Sequence, residues 1–152
     1  MNRARIICIF SFLILLGSCT QNRIYEEFHS FDTMTWNEKD SVTFDLKAVN
    51  TLEGKSLLAI RFNENYPYSN CYIRLISKDS SQQVLQNKLL NVPIFHSISG
   101  QPLGKGFGNT YTKYDTIPFD LPLGTKELIV RQYMRQDELE GIEAVGLKIL
   151  KP

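Results

Sequence analysis

Cys19 is the residue whose surroundings most restrict its chemistry. It follows Leu16-Gly17-Ser18, and the chain ahead of it carries Arg3 and Arg5 and then a mainly apolar run over residues 6–16, the layout of a secretory signal. Leu-Gly-Ser-Cys has the form at which a diacylglycerol is joined to the cysteine sulfur before cleavage just ahead of it. An ordinary export cleavage site wants small residues at both recognition positions, and Leu16 is large. Eleven residues reach about 16 Å as a helix, against a hydrocarbon core of about 30 Å, so the run is too short to span. Residues 1–18 read as a signal peptide and Cys19 as the lipid-bearing first residue of the mature chain. Two or three acyl chains then give the stable attachment that one chain does not.

Other chemistry is harder to assemble. Nucleophilic hydrolysis needs a nucleophile, a base and an orienting group, and the two histidines, His29 and His96, sit in no motif and read as solvated. Cys71 lies in Asn70-Cys71-Tyr72-Ile73-Arg74-Leu75, on the apolar side of an alternating run, which makes it a core thiol. Cys8 leaves with the signal and Cys19 is taken by lipid, so no disulfide is expected. Gly104-Lys105-Gly106-Phe107-Gly108 lacks the Gly-Lys-Ser/Thr ending of a phosphate loop and reads as a turn. Asp137, Glu138, Glu140 and Glu143 cluster without the alternating ligands of a calcium loop and read as a solvated hairpin tip. No zinc spacing occurs. The chain calls for no metal and no cofactor, and is expected not to be an enzyme.

Charge narrows the partners further. The formal charge of +1 becomes −1 once Arg3 and Arg5 are removed, and no basic face stands out, which argues against nucleic acid and against a polybasic membrane patch. What remains is aromatic and polar material in loops. Trp36, Tyr66, Tyr68, Asn70 and Phe107, with Asn65 and Phe95, form a candidate binding surface, since Tyr and Trp bury large area while keeping a polar handle. The competing reading is that they close the end of a core.

The elements that must position these residues are strands. Val42, Phe44, Leu46 and Ala48 alternate with Thr43, Asp45 and Lys47; Leu58, Ile60 and Phe62 alternate with Ala59 and Arg61. Cys71, Ile73 and Leu75 repeat the pattern, residues 84–92 form a further run, and Leu128, Val130 and Met134 oppose Arg131, Tyr133 and Arg135. Val145, Leu147 and Ile149 close the chain. Such period-two patterning marks half-buried strands, and turn chemistry separates them at residues 65–67, 78–81, 121–124 and 137–141. Strands without long amphipathic helices predict an all-β protein, an antiparallel β-sandwich of jelly-roll type. Residues 19–31 read as the lipidated N-terminus and a tether, and residues 32–152 as the sandwich domain. Residues 93–109 are too long for a hairpin and read as a crossover or functional loop.

Several blocks carry a family resemblance. They are the lipobox, Trp36 before the first strand, Tyr66-Pro67-Tyr68-Ser69-Asn70, Leu103-Gly104-Lys105-Gly106-Phe107-Gly108, Gln132-Tyr133-Met134-Arg135, and Leu139-Glu140-Gly141-Ile142-Glu143-Ala144-Val145-Gly146-Leu147-Lys148-Ile149. In this order they resemble the gliding motility lipoprotein GldH family across nearly the whole mature chain. The resemblance implies a non-catalytic envelope lipoprotein, anchored to the membrane by its N-terminal lipid and partnered by other gliding or secretion machinery proteins. The family also occurs in bacteria not known to glide, and it supplies no catalytic residues to carry over. A glycan-binding lipoprotein using Trp36, Tyr66 and Tyr68 is the alternative. Thr20-Gln21-Asn22-Arg23 lacks both an aspartate after Cys19 and an acidic export run, which favours the periplasmic face of the outer membrane.

Overall fold

The computed structural model describes residues 22–152; residues 1–18, read as a signal peptide, and Cys19 lie outside the described residues. Eleven strands run in the order β1 (Arg23–Ser30), β2 (Thr35–Asn37), β3 (Val42–Asp45), β4 (Ser56–Asn63), β5 (Asn70–Lys78), β6 (Val84–Pro93), β7 (Lys105–Phe107), β8 (Thr110–Thr116), β9 (Glu127–Gln132), β10 (Glu138–Glu140) and β11 (Ile142–Leu150). Their pairings are nested and antiparallel: β1 with β11, β2 with β10, β3 with β9, β4 with β8, and β5 with β6. The chain is therefore one long hairpin rolled over on itself. Rolling adds the β11–β4 and β9–β5 ladders and produces two main sheets, β1-β11-β4-β8-β7 and β3-β9-β5-β6. This is the jelly-roll sandwich that the alternation predicted.

Alternation also fixes which side chains fill the interior, because a one-residue slip would turn each set outward. Val42 and Phe44, Leu58, Ile60 and Phe62, Cys71, Ile73 and Leu75, Leu128 and Val130, and Val145, Leu147 and Ile149 are all buried in one core cluster. Ala48 does not join them. Asp45 Oδ1 accepts the Lys47 backbone N–H at 2.9 Å, a side-chain turn that ends β3 before the pattern would.

Two readings of the sequence are corrected. The segment taken for a tether is largely strand: residues 23–30 pair with β11 along their length. Its pattern was hidden because β1 is an edge strand bearing Glu27 and His29 on the core-side register and Phe28 on the outer one. The Phe28 ring covers Gly146, where an added Cβ would lie 2.7 Å from it. It also meets Tyr114 edge-on at 6.3 Å. β8 escaped notice for a similar reason, since Lys113 and Asp115 lie in inward register opposite Ile60 and Leu58 and pair with each other at 3.0 Å.

The second correction concerns residues 137–141. They are no free hairpin tip, because β10 pairs with β2 and sets Leu139 opposite Trp36, both fully buried. Glu143 leaves the acidic group altogether and accepts Asn63 Nδ2–H at 3.0 Å.

Candidate functional site

The candidate aromatic residues gather at one end of the sandwich but divide between core and surface. Trp36 is 0% exposed; its indole stacks on Phe31 at 5.5 Å and its Nε1–H is donated to the Asp40 carbonyl at 2.8 Å. Tyr66 is 3% exposed, and its hydroxyl donates to the Asn70 carbonyl at 2.8 Å, stapling the loop ahead of β5. Burial, with the Cys71 thiol beside it, raises this phenol far above its ordinary range. Both residues are structural, so the platform read from sequence does not form as such. Tyr68 meets Tyr66 edge-on at 5.6 Å and is half-buried, as is Asn70, whose amide donates to Asn91 Oδ1 at 2.6 Å. Phe107 stands apart, 97% exposed at the tip of the β7–β8 hairpin.

A polar network holds this end rigid. Asn63, 4% exposed, donates to Glu143, accepts Asn65 N–H at 3.0 Å and donates its own N–H to the Gly141 carbonyl at 2.9 Å. Thr110 Oγ1 donates to the same Glu143 carboxylate at 3.2 Å. Gly141 has φ +79 and its missing Cβ would lie 2.4 Å from Tyr66 N, so glycine alone fits the crossing of the two segments.

Residues 93–109 turn out to be folded. They carry the chain from one sheet to the other, as a crossover should, through a small hairpin closed by the Phe95–Pro102 bridge and by Leu103 N–H donated to Ile94 O at 2.9 Å. His96 sits inside that hairpin, its Nδ1 accepting Ser99 N–H at 3.2 Å. Between it and the Tyr66 loop lies a shallow cleft of about 340 Å³. The Gly104–Gly108 stretch, expected to be a turn, is mostly strand: Lys105–Phe107 form β7, where a Cβ on Gly106 would meet Thr110 O at 2.0 Å, and only Gly108, with φ +65, lies in the turn. His29 is exposed on β1 with its ring against Phe31 at 5.4 Å. Cys71 is a buried free cysteine, and burial pushes its thiol up to about 12, far from a usable nucleophile at neutral pH. Among the described residues no group of three or more His, Cys, Asp or Glu is placed to hold a metal.

Sequence reasoning missed a basic face. Register sets Arg74 of β5 directly opposite Arg131 of β9 on the outer side of the smaller sheet, with Tyr133 and Arg135 just beyond. The signal was present, since both arginines occupy solvent-side positions of alternating runs. Composition near neutrality hid it, because the charges come from segments far apart in the chain.

Fold and site together define a jelly-roll sandwich whose candidate residues mostly pack against or hydrogen-bond one another. Residues 23–149 match the family model described as GldH lipoprotein, and the chain belongs to that family. It is 30% identical over 167 aligned positions to a gliding motility lipoprotein GldH homolog of Christiangramia forsetii, covering 99% of this chain and 98% of the relative. It is 27% identical to the gliding motility lipoprotein GldH of Flavobacterium johnsoniae, covering 90% and 89%. Among solved structures, the Yersinia pseudotuberculosis-derived mitogen aligns over 84% of this chain and 86% of its own at 7% identity, with a TM-score of 0.34. The Tobacco streak virus coat protein aligns over the same shares at 10% identity and a TM-score of 0.28.

Proposed function

We infer that this lipoprotein is a non-catalytic assembly component of a gliding motility apparatus, fixed to the periplasmic face of the outer membrane through lipid on Cys19 and acting by protein contacts. The observation that carries the reading is the family match over residues 23–149, which takes in every strand from β1 and reaches the last one.

Placement of the blocks supports it. Three residues separate Cys19 from the start of β1 at Arg23, a span of at most about 14 Å at roughly 3.5 Å per step. The Arg23 end of the sandwich, where Leu150 is its partner, therefore sits near the lipid. The blocks holding Tyr66, Phe107, Tyr133 and Gly141 lie at the opposite end, beyond Ser30 and Asn63, where they can meet another protein. The glycan alternative loses support, because Trp36 and Tyr66 are in the core.

Deletion of the gene in a gliding host is expected to abolish spreading and leave growth intact, with the intact gene restoring spreading and a Cys19→Ala copy failing to do so. Normal spreading by the deletion strain overturns the function. Ready removal of the domain by protease added to intact cells overturns the periplasmic placement.

A further inference from the structure

The outer side of the β3-β9-β5-β6 sheet carries an arrangement that folding alone does not explain. Arg74 and Arg131 face each other across the β5–β9 ladder, a like-charge pairing that disfavours the sheet. Among the described residues neither of them, nor Arg135, has a carboxylate within ion-pair distance. Arg74 lies over the Tyr133 ring, its Cζ 4.3 Å from the centroid, with one long hydrogen bond to Asn87 Oδ1 at 3.4 Å. Its Nε is buried with no acceptor. Beside it opens a cavity of about 400 Å³ lined by Tyr72, Leu89, Tyr133, Met134 and Arg135, whose floor is fixed where Met134 Sδ accepts Tyr72 N–H at 3.0 Å. Tyr72, Leu89 and Tyr133 are 40%, 48% and 48% exposed.

We propose that this face docks an extended acidic segment of a partner protein, its carboxylates meeting Arg74, Arg131 and Arg135 and its apolar side chains entering the Tyr72–Leu89–Tyr133–Met134 cavity. The proposal rests on the assembly reading above and names the surface and the chemistry of the partner. Charge selects the occupant: a second copy would set arginine against arginine, and a guanidinium with free N–H groups is built to receive a planar carboxylate. A peptide fits better than a glycan or a lipid surface. The cavity adjoins β6, an edge strand of ten residues whose only charged side chain is Lys88 and whose outer backbone groups are open to strand addition. The cavity also lies at the end of the sandwich away from Arg23, so a bilayer holding Cys19 does not reach it.

The test uses the full-length lipoprotein in its own envelope, with photoreactive benzoylphenylalanine at Tyr133 or Leu89, and at Tyr114 on the other sheet as control. Tyr133 and Leu89 are expected to give one discrete protein adduct, mapped by mass spectrometry to a segment rich in Asp and Glu. Its yield should fall at least about tenfold with Arg131→Glu, survive Arg131→Lys, and be absent at Tyr114. Circular dichroism of the Arg131→Glu protein checks that it is folded, and Arg135→Glu offers a second reversal outside the strands. A mapped segment without acidic residues, an adduct with polysaccharide or lipid, or a yield indifferent to both reversals overturns the proposal. If Tyr133 and Leu89 are silent while Phe107 or Tyr68 crosslinks a protein, this face is wrong and the assembly reading stands. If no position crosslinks a protein, both fail.

Discussion

Gly141 concentrates the constraints of the polar end in one backbone position. Its N–H reaches Met34 O at 2.9 Å, its carbonyl receives Asn63 N–H at 2.9 Å, and Tyr66 presses against it where a side chain would begin. Gly124 has a comparable φ of +88 but open space around it. A left-handed non-glycine residue costs about 1–2 kcal/mol, which is all Gly124→Ala should lose. Gly141→Ala must in addition separate two packed backbones and strain two buried hydrogen bonds, each worth about 1 kcal/mol, for a loss of about 3–4 kcal/mol. Urea denaturation of the two variants checks this, and equal losses would show that the crossing is loose. Sequence marked Gly141 only as a turn residue. The requirement arises from Tyr66, seventy-five positions earlier, and such a contact has no local signature. The same holds for Trp36 and Tyr66, whose composition suits a binding surface and a sealed core end equally well.

At the scale of elements, alternation was readable where apolar side chains take the inward register and failed where charged or polar ones do. β3, β4, β5, β9 and β11 turn mainly apolar or small residues inward, whereas β8, with neighbours on both sides, turns Lys113 and Asp115 inward. Edge strands meet water on one flank, so β1 can carry Glu27 toward the core side and Phe28 away from it, and its burial shows no period of two. This makes β1 look dispensable, yet it shields one edge of β11 and its Phe28 covers Gly146. Arg61 adds to that cover, its Cζ 5.0 Å from the Phe28 ring. A chain beginning at Asp32 would lose these contacts and expose the β11 edge to self-association. Size-exclusion chromatography and circular dichroism should show it aggregated or unfolded, whereas a chain beginning at Asn22 remains monomeric and folded. A well-behaved Asp32 chain would restore the view of residues 23–30 as a tether.

For the whole molecule, the proposed anchor makes height above the membrane the quantity to test. A nested hairpin rolled into two sheets puts its first and last strands side by side, so a lipid on Cys19, as proposed, would hold that end of the sandwich near the membrane. With at most about 14 Å of chain between Cys19 and Arg23, that anchor would keep the face bearing Arg74 and Tyr133 within a limited range of heights. A flexible linker removes that constraint without touching a single contact. Thirty Gly/Ser residues inserted before Arg23 have a root-mean-square reach of about 30 Å, so the sandwich would then sample a volume tens of ångströms deep, and its effective concentration at a partner held at one height would drop. Spreading by a host carrying this insertion is expected to be strongly reduced while the amount of membrane-bound lipoprotein is unchanged. Attractant-free motility agar and membrane fractionation together read the two quantities. Undiminished spreading would mean that the lipid serves only to retain the protein in the envelope, with its contacts made by a domain free to search.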